Sequence, residues 1–158
     1  MKFFEDVRIG DSHQYGSYTF TPEKIKAFAR KFDPQPFHLD EEAAKNSLFG
    51  ALCASGWHTT AAFMRQVVDY SKRVYAEAAA RGETPARFGP SPGFKNLKWL
   101  KPVFANDTVT YSSEVIELRD LASRPEWGLM RSRTTGVNQK GERVLEFESS
   151  AFLQRRPK

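Results

Sequence analysis

One short segment brings an acid and a base close together in the chain. Asp33 and His38 are five positions apart in the stretch Asp-Pro-Gln-Pro-Phe-His, which contains two prolines. Each proline fixes its own φ angle and favours extended geometry for the residue before it, so little of this loop is expected to be helical. A carboxylate and an imidazole on a stiff loop suit proton transfer, because catalytic groups must first be positioned. Taken alone, the segment is more typical of a solvated surface turn, because Asp, Pro and Gln are ordinary turn residues.

The composition predicts one globular domain that spans residues 1–158. Hydrophobic residues make up 40% of the chain and aromatic residues 13%, which is enough to form a core at this length. The formal net charge is +5, but basic residues are scattered and interleaved with acidic ones. Because neither a basic stripe nor a nucleic-acid-binding motif is present in the sequence, we expect no nucleic-acid partner.

Several features predict a soluble, cytoplasmic protein. Cys53 is the one cysteine, so no intrachain disulfide can form, and it is expected to be a small buried residue rather than a nucleophile. The N-terminal residues turn acidic at once and lack the apolar core of a signal peptide. No apolar run approaches the roughly 20 residues that span a bilayer, so we expect no membrane association.

The first half of the chain is predicted to be mostly helical. Residues 13–20 are predicted to form a strand, after which Thr21 and Pro22 are typical of a helix start. Asp40 and the two glutamates after it predict a second, short helix. Apolar residues at helical spacing predict a long third helix over residues 55–80, and we expect several sides of its first half to be covered.

The second half is rich in predicted strands. Glycine and proline separate it from the long helix, and Gln-Lys-Gly at 139–141 is typical of a hairpin turn. The predicted strands cover 94–100, 108–118, 127–138 and 143–153. We therefore predict an α+β fold in which an antiparallel sheet wraps around one long central helix.

Three segments together resemble the MaoC-like dehydratases, which form the (R)-specific 2-enoyl-CoA hydratase branch of the hotdog fold. Residues 33–40 are similar to the family pattern Asp-x-Asn-Pro-x-His-x-Asp. Residues 49–57 are similar to a phenylalanine followed by an apolar run and His-Gly-Met. Residues 97–109 are similar to Phe-x-x-Pro-Val-x-x-Gly-Asp-x-Val. The resemblance implies a single hotdog domain.

The resemblance also implies an activity, the reversible hydration of a trans-2-enoyl-CoA to a 3-hydroxyacyl-CoA. Asp33 and His38 would be the catalytic pair, and which of them is the base and which the acid stays open. Gly56 begins the long helix, where free N–H groups and the helix dipole favour negative charge. As in the family, its N–H would bind the developing oxyanion of the thioester.

The sequence departs from the family pattern near these residues. Gln35 stands where the family usually has Asn, and Met64 stands where some members have a serine that supports the aspartate. Ser55 and Trp57 replace the His and Met that flank the glycine. The residues expected to bind substrate are Ser55, Trp57, His58 and Phe63.

No metal or redox cofactor is expected, because the three histidines lack metal-ligand spacing and no glycine-rich phosphate loop is present. Coenzyme A would enter only as part of the substrate. Its phosphates could contact basic residues, for which the candidates are Arg87, Lys95, Lys98 and Lys101. A homodimer or higher homo-oligomer is expected, because a lone hotdog domain leaves its sheet edges open.

Two other functions remain open at this point. A hotdog thioesterase would use a carboxylate near a helix start to hydrolyse the thioester. A non-catalytic acyl-CoA-binding protein would keep the fold while the altered neighbours of Asp33 and His38 abolish the chemistry. Loss of enoyl absorbance, release of free thiol, and binding with neither signal would distinguish the three.

Overall fold

The computed structural model describes residues 1–157, which form four α-helices and a five-stranded sheet after a short 3₁₀ turn. The helices are α1 (Pro22–Phe32), α2 (Pro36–Leu39), α3 (Glu41–Lys45) and α4 (Gly56–Ala80). The strands are β1 (Ser12–Thr19), β2 (Gly93–Trp99), β3 (Thr108–Asp120), β4 (Trp127–Asn138) and β5 (Arg143–Gln154).

All five strands pair antiparallel in the order β1-β3-β4-β5-β2, so β1 and β2 are the two edges. Val109, Tyr111 and Val115 alternate along β3 and are buried, which defines the inner face of the sheet. Helix α4 packs on this face, where the Tyr111 hydroxyl donates to the Thr59 carbonyl oxygen at 2.8 Å. A sheet that wraps one long helix is the predicted hotdog fold, which is confirmed.

Side-chain caps explain where the helices begin. The Thr21 hydroxyl accepts a hydrogen bond from the N–H of Lys24 at the start of α1, and Asp40 accepts from the N–H of Ala43 at the start of α3. Ser55 caps α4 by accepting from the N–H of Trp57 at 3.2 Å. Each cap satisfies a backbone donor that the first helical turn leaves free.

Helix α2 differs from the expectation that the proline-rich loop would contain little helix. Residues 36–39 form one helical turn, with Pro36 in its first position. The restriction imposed by a proline acts on the residue before it, and Gln35 is indeed extended at φ −77° and ψ 140°. The proline itself has the φ angle that a first helical residue needs. The turn therefore starts at the second proline and carries His38.

The first half of α4 is covered on one side and open on another. Thr59, Ala62 and Phe63 are buried against the sheet. Trp57 and Met64 are each about half exposed, at 52% and 54%. The expected cover over several sides of this helix is therefore only partial in the isolated chain.

Candidate active site

His38 is held in one orientation by the backbone of a neighbouring segment. Its side chain is buried on α2, and its Nδ1 lies 2.7 Å from the carbonyl oxygen of Cys53. A carbonyl oxygen can only accept, so Nδ1 carries a proton and donates it. In the neutral ring, Nε2 is then unprotonated and available as an acceptor.

Asp33 faces this free nitrogen. It caps the C-terminal end of α1, where its N–H donates to the carbonyl oxygen of Ala29. The distance from its Oδ2 to Nε2 of His38 is 3.6 Å, and its Oδ1 accepts from Nε2 of Gln35 at 2.8 Å. The end of α1 and the turn of α2 thus bring these two side chains together.

The surroundings of Asp33 favour its charged form. Burial acts to raise the pKa of this carboxyl, but side-chain hydrogen bonds from Ser55 and Gln35 and the charge of His38 together outweigh burial, so the pKa lies below its ordinary value. Asp33 is therefore a carboxylate at neutral pH. Gln35, which replaces the family's usual Asn, still reaches and orients this group.

The Asp33–His38 arrangement can bind and activate a water molecule. When the imidazole is neutral, the carboxylate oxygen and Nε2 of His38 are both acceptors, and 3.6 Å is longer than a direct hydrogen bond between them. A water molecule can donate one hydrogen to each, which directs its lone pairs away from the pair. Either group can then accept the proton as the water attacks, and the proton belongs to the pair rather than to one residue.

Gly56 lies in the same cavity as the pair. The cavity has a volume of about 550 Å³, and its lining includes Asp33, His38, Ser55, Gly56 and Trp57. Among residues 1–157, no group accepts a hydrogen bond from the N–H of Gly56. This free donor at the start of a 25-residue helix is favourably placed for negative charge.

Of the four predicted substrate-binding residues, the cavity is lined by Ser55 and Trp57 but not by His58 or Phe63. His58 points between α1 and β1, and its ring stacks on Phe28 at a centroid distance of 4.5 Å. Burial, with the charges of Lys24 and His38, lowers the pKa of His58 to about 4. Its position gives it a packing role.

Phe63 also lies outside this cavity. It packs against Phe147 with ring centroids 5.1 Å apart, within the main core. It borders a separate apolar cavity of about 450 Å³ beside the second half of α4. Because Phe63 does not line the cavity that contains Asp33 and His38, its position does not support the predicted role in substrate binding, which remains a prediction.

Sequence reasoning missed several residues of the cavity wall, among them Trp99. It is the last residue of β2, and it lies among the lining residues together with Leu100 and Lys101. The motif at residues 97–109 contains it, but nothing in that motif indicates which way its side chain points. Of the four basic residues predicted to contact coenzyme A, Lys101 lines this cavity. Its Nζ is 2.6 Å from the Glu142 carboxylate.

Cys53 contributes its backbone rather than its thiol. Its carbonyl oxygen accepts from His38, while the side chain is buried and burial raises the thiol pKa to about 11. Within the part of the chain that the structure describes, no group of three or more His, Cys, Asp or Glu side chains is arranged to hold a metal ion. None of the helices in residues 1–157 is long and apolar enough to cross a membrane.

Comparison with known proteins identifies a family over most of the chain. The family model described as "MaoC like domain" matches residues 6–130. A crystal structure of a MaoC-like dehydratase from Rhodospirillum rubrum superposes with a TM-score of 0.84 and is 35% identical, with 100% of both chains covered. The residues matched by the family model include Asp33, His38, Gly56 and Trp99, which line the candidate cavity.

Two relatives by sequence extend this comparison. The protein YdeM of Bacillus subtilis, whose function is uncharacterized, is 26% identical over 151 residues, which are 96% of this chain and 98% of that protein. Mesaconyl-CoA hydratase of Cereibacter sphaeroides is 38% identical over 64 residues, which are 40% of this chain and 18% of that enzyme. The second similarity is thus to part of each protein.

Proposed function

Because the chain belongs to the family of MaoC-like domains, we propose that it is a hydro-lyase that adds water reversibly to a trans-2-enoyl-CoA and yields a 3-hydroxyacyl-CoA. The observation that carries this proposal is the 3.6 Å separation of Asp33 Oδ2 and His38 Nε2 in the cavity that Gly56 also lines. Hydration needs a site for water, a site for enolate charge and a group that moves a proton. These three residues supply them.

The chemistry follows from the positions of the groups. Water between Asp33 and His38 loses one proton to the pair as its oxygen bonds to carbon 3 of the enoyl group. The electrons of the double bond move onto the thioester oxygen, where the N–H of Gly56 and the dipole of α4 stabilise the charge. The pair then returns the proton to carbon 2, so that water has been added and the protein is unchanged.

Coenzyme A is proposed as the carrier of the acyl group, and no separate cofactor is required. The partial similarity to mesaconyl-CoA hydratase supports an acyl-CoA substrate. Lys101 is positioned at the cavity to contact a phosphate group, since its pairing with Glu142 is exposed and therefore weak.

The proposal is tested by following the ultraviolet absorbance of a series of trans-2-enoyl-CoA thioesters of increasing length. We expect hydration by the parent protein and a fall in kcat/KM of about 10²–10⁴-fold in Asp33→Asn and in His38→Gln, the usual contribution of an acid–base group. His13→Gln is the matched control, because His13 lies in β1 outside the cavity.

Parental rates in both variants would show that the site is assigned wrongly. Release of free thiol would indicate a thioesterase, because hydration leaves the thioester bond intact. Binding of the thioester without either signal would indicate a non-catalytic acyl-CoA-binding protein.

A second copy of the chain is the proposed protein partner, in a homodimer. Strand β2 is an edge of the sheet, and its outer side has no strand partner within residues 1–157. Exposed apolar side chains surround this edge and the neighbouring face of α4, namely Trp57, Met64, Val68, Phe94, Trp99 and Leu100. Apolar side chains concentrated beside an open edge are typical of an interface.

A further inference from the structure

The indole of Trp99 rests directly on Gly56. A Cβ atom added to Gly56 would overlap three ring atoms of this indole, so the ring occupies the space that any other residue would fill. Trp99 ends the edge strand β2, whereas Gly56 begins α4, so the contact joins the sheet to the start of the helix. Glycine is therefore required at this position, because the indole leaves no space for a Cβ atom.

Hydrogen bonds fix the ring in this place. Nε1–H of Trp99 donates to the hydroxyl oxygen of Thr60 at 3.1 Å, and the Thr60 hydroxyl donates to the carbonyl oxygen of Gly56 at 3.0 Å. The Trp57 ring packs against the indole nearly at right angles, with ring centroids 5.0 Å apart and an interplanar angle of 78°. Trp99 is 45% exposed, so burial alone does not hold it.

This position places the ring beside the reacting group. An oxygen that accepts from the N–H of Gly56 lies about 2.9 Å from that nitrogen. The nitrogen is bonded to the Cα atom against which the indole packs, and Trp99 lines the same cavity as Asp33 and His38. A thioester bound to this N–H is therefore held next to the indole face.

We propose that Trp99 is a specificity-determining residue of the site, and that its ring is the wall against which the flat, conjugated enoyl thioester lies. This inference rests on the proposed hydratase function. A planar conjugated group can contact an aromatic face over its whole length, whereas a saturated acyl chain cannot stay flat. Thr60 is the positioning residue that keeps the ring at the angle which leaves the Gly56 N–H open.

The test is a double-mutant cycle on kcat and KM for a short trans-2-enoyl-CoA. Trp99→Ala is expected to lower kcat/KM by about 10²-fold, the usual effect of misplacing a bound substrate. Trp99→Phe keeps an aromatic face and is expected to recover most of the loss. Thr60→Val removes the acceptor of the indole N–H and is expected to cost about 2- to 10-fold, the range of one neutral hydrogen bond.

The decisive comparison is the change in kcat/KM that Thr60→Val causes in the parent protein and in Trp99→Phe. Phenylalanine has no N–H, so Thr60→Val should lower kcat/KM less in Trp99→Phe than in the parent, where it removes the acceptor of the indole N–H as well as the Thr60 bond to Gly56. Trp127→Phe is the matched control, because Trp127 does not line the cavity. Trp127 pairs with Gln154 at one end of β5, whereas Trp99 pairs with Leu145 near the other end.

Equal losses from Thr60→Val in both backgrounds would overturn the role of the ring and leave the hydratase function standing. Equal kcat/KM values for Trp99→Ala and the parent would do the same. A parent protein that hydrates none of the enoyl thioesters would overturn the proposed function, and this inference with it. The Kd of saturated butyryl-CoA should also be measured in Trp99→Ala and in the parent. We expect Trp99→Ala to raise this Kd by a smaller factor than it raises the KM of the enoyl-CoA.

Discussion

The chemistry of the candidate site depends on atoms that do not touch the substrate. The Cys53 carbonyl decides which nitrogen of His38 carries the proton, and it leaves Nε2 facing Asp33. Gln35 donates to Asp33, and the side chains of Ser55 and Gln35 both lower the pKa of this carboxyl. Because these contacts orient His38 and favour the carboxylate form of Asp33, the same two side chains on an unsupported loop would be a poor catalyst.

Gln35 is predicted to hold down the pKa of Asp33. In Gln35→Leu the amide donor is lost while the burial remains, so the pKa of Asp33 should rise. The ¹³C NMR signal of the Asp33 carboxyl carbon, assigned from its absence in Asp33→Asn, should then titrate at a higher pH than in the parent. Gln14→Leu, on the exposed side of β1, should leave the midpoint where it is. An unchanged midpoint in Gln35→Leu would mean that this hydrogen bond does not form in solution.

At the scale of elements, the strands and the long helix could be predicted from the sequence, because the spacing of apolar residues reflects the local geometry of the backbone. The predicted 127–138 strand coincides with β4, and Ser55 stands at the start of α4 as expected. Helix α2 could not be predicted in this way. A proline restricts the backbone of the residue before it, but it does not determine whether a helical turn follows.

The site could be predicted only in part, for a related reason. Asp33 and His38 are close in sequence, so a local motif could pair them. Trp99 meets Gly56 only because β2 returns along the start of α4, and no local pattern encodes that contact. The direction of His58 on the first turn of α4 depends likewise on where α1 packs. Long-range packing therefore decided what the motifs left open.

The packing of α1, α4 and β1 around His58 makes these elements sensitive to acid. The ring stacks on Phe28, packs edge-on against Phe20 and lies 3.4 Å from the Tyr18 hydroxyl through Nε2. Its Nδ1 is buried without a hydrogen-bond partner among the described residues. A second proton on this ring would add a charge among aromatic side chains, next to the positive charge of Lys24.

His58 is predicted to make the free energy of unfolding fall between pH 6.5 and pH 4. Its pKa is about 4 in the folded protein against 6.5 ordinarily, so in this window the unfolded chain binds a proton that the folded one does not. The loss should reach up to about 1.4 kcal/mol per pH unit, and none should occur above pH 6.5. Urea unfolding at several pH values should show a shallower acid dependence in His58→Phe. Parallel curves for the two proteins would contradict this assignment.

For the whole molecule, the open edge of β2 and the exposed face of α4 form one surface that also borders the cavity. Trp57 and Trp99 belong both to this surface and to the cavity wall. A second copy placed here would cover the apolar side chains and enclose one side of the site. Water would then be excluded from the surroundings of the Gly56 N–H, which would strengthen electrostatic interactions there.

A charge placed on this surface is therefore predicted to separate the dimer and to weaken catalysis together. Met64→Asp and Phe94→Asp would each bury a carboxylate in an apolar interface, at a cost of several kcal/mol per subunit. Light scattering at micromolar concentration should show a dimer for the parent and a monomer for each variant, with kcat/KM reduced in the monomer. Arg65→Gln, which removes an exposed ion pair with Asp69 on the neighbouring side of α4, should remain dimeric and active. A monomeric parent with full activity would show that the site is complete in one chain, and that the apolar surface has another purpose.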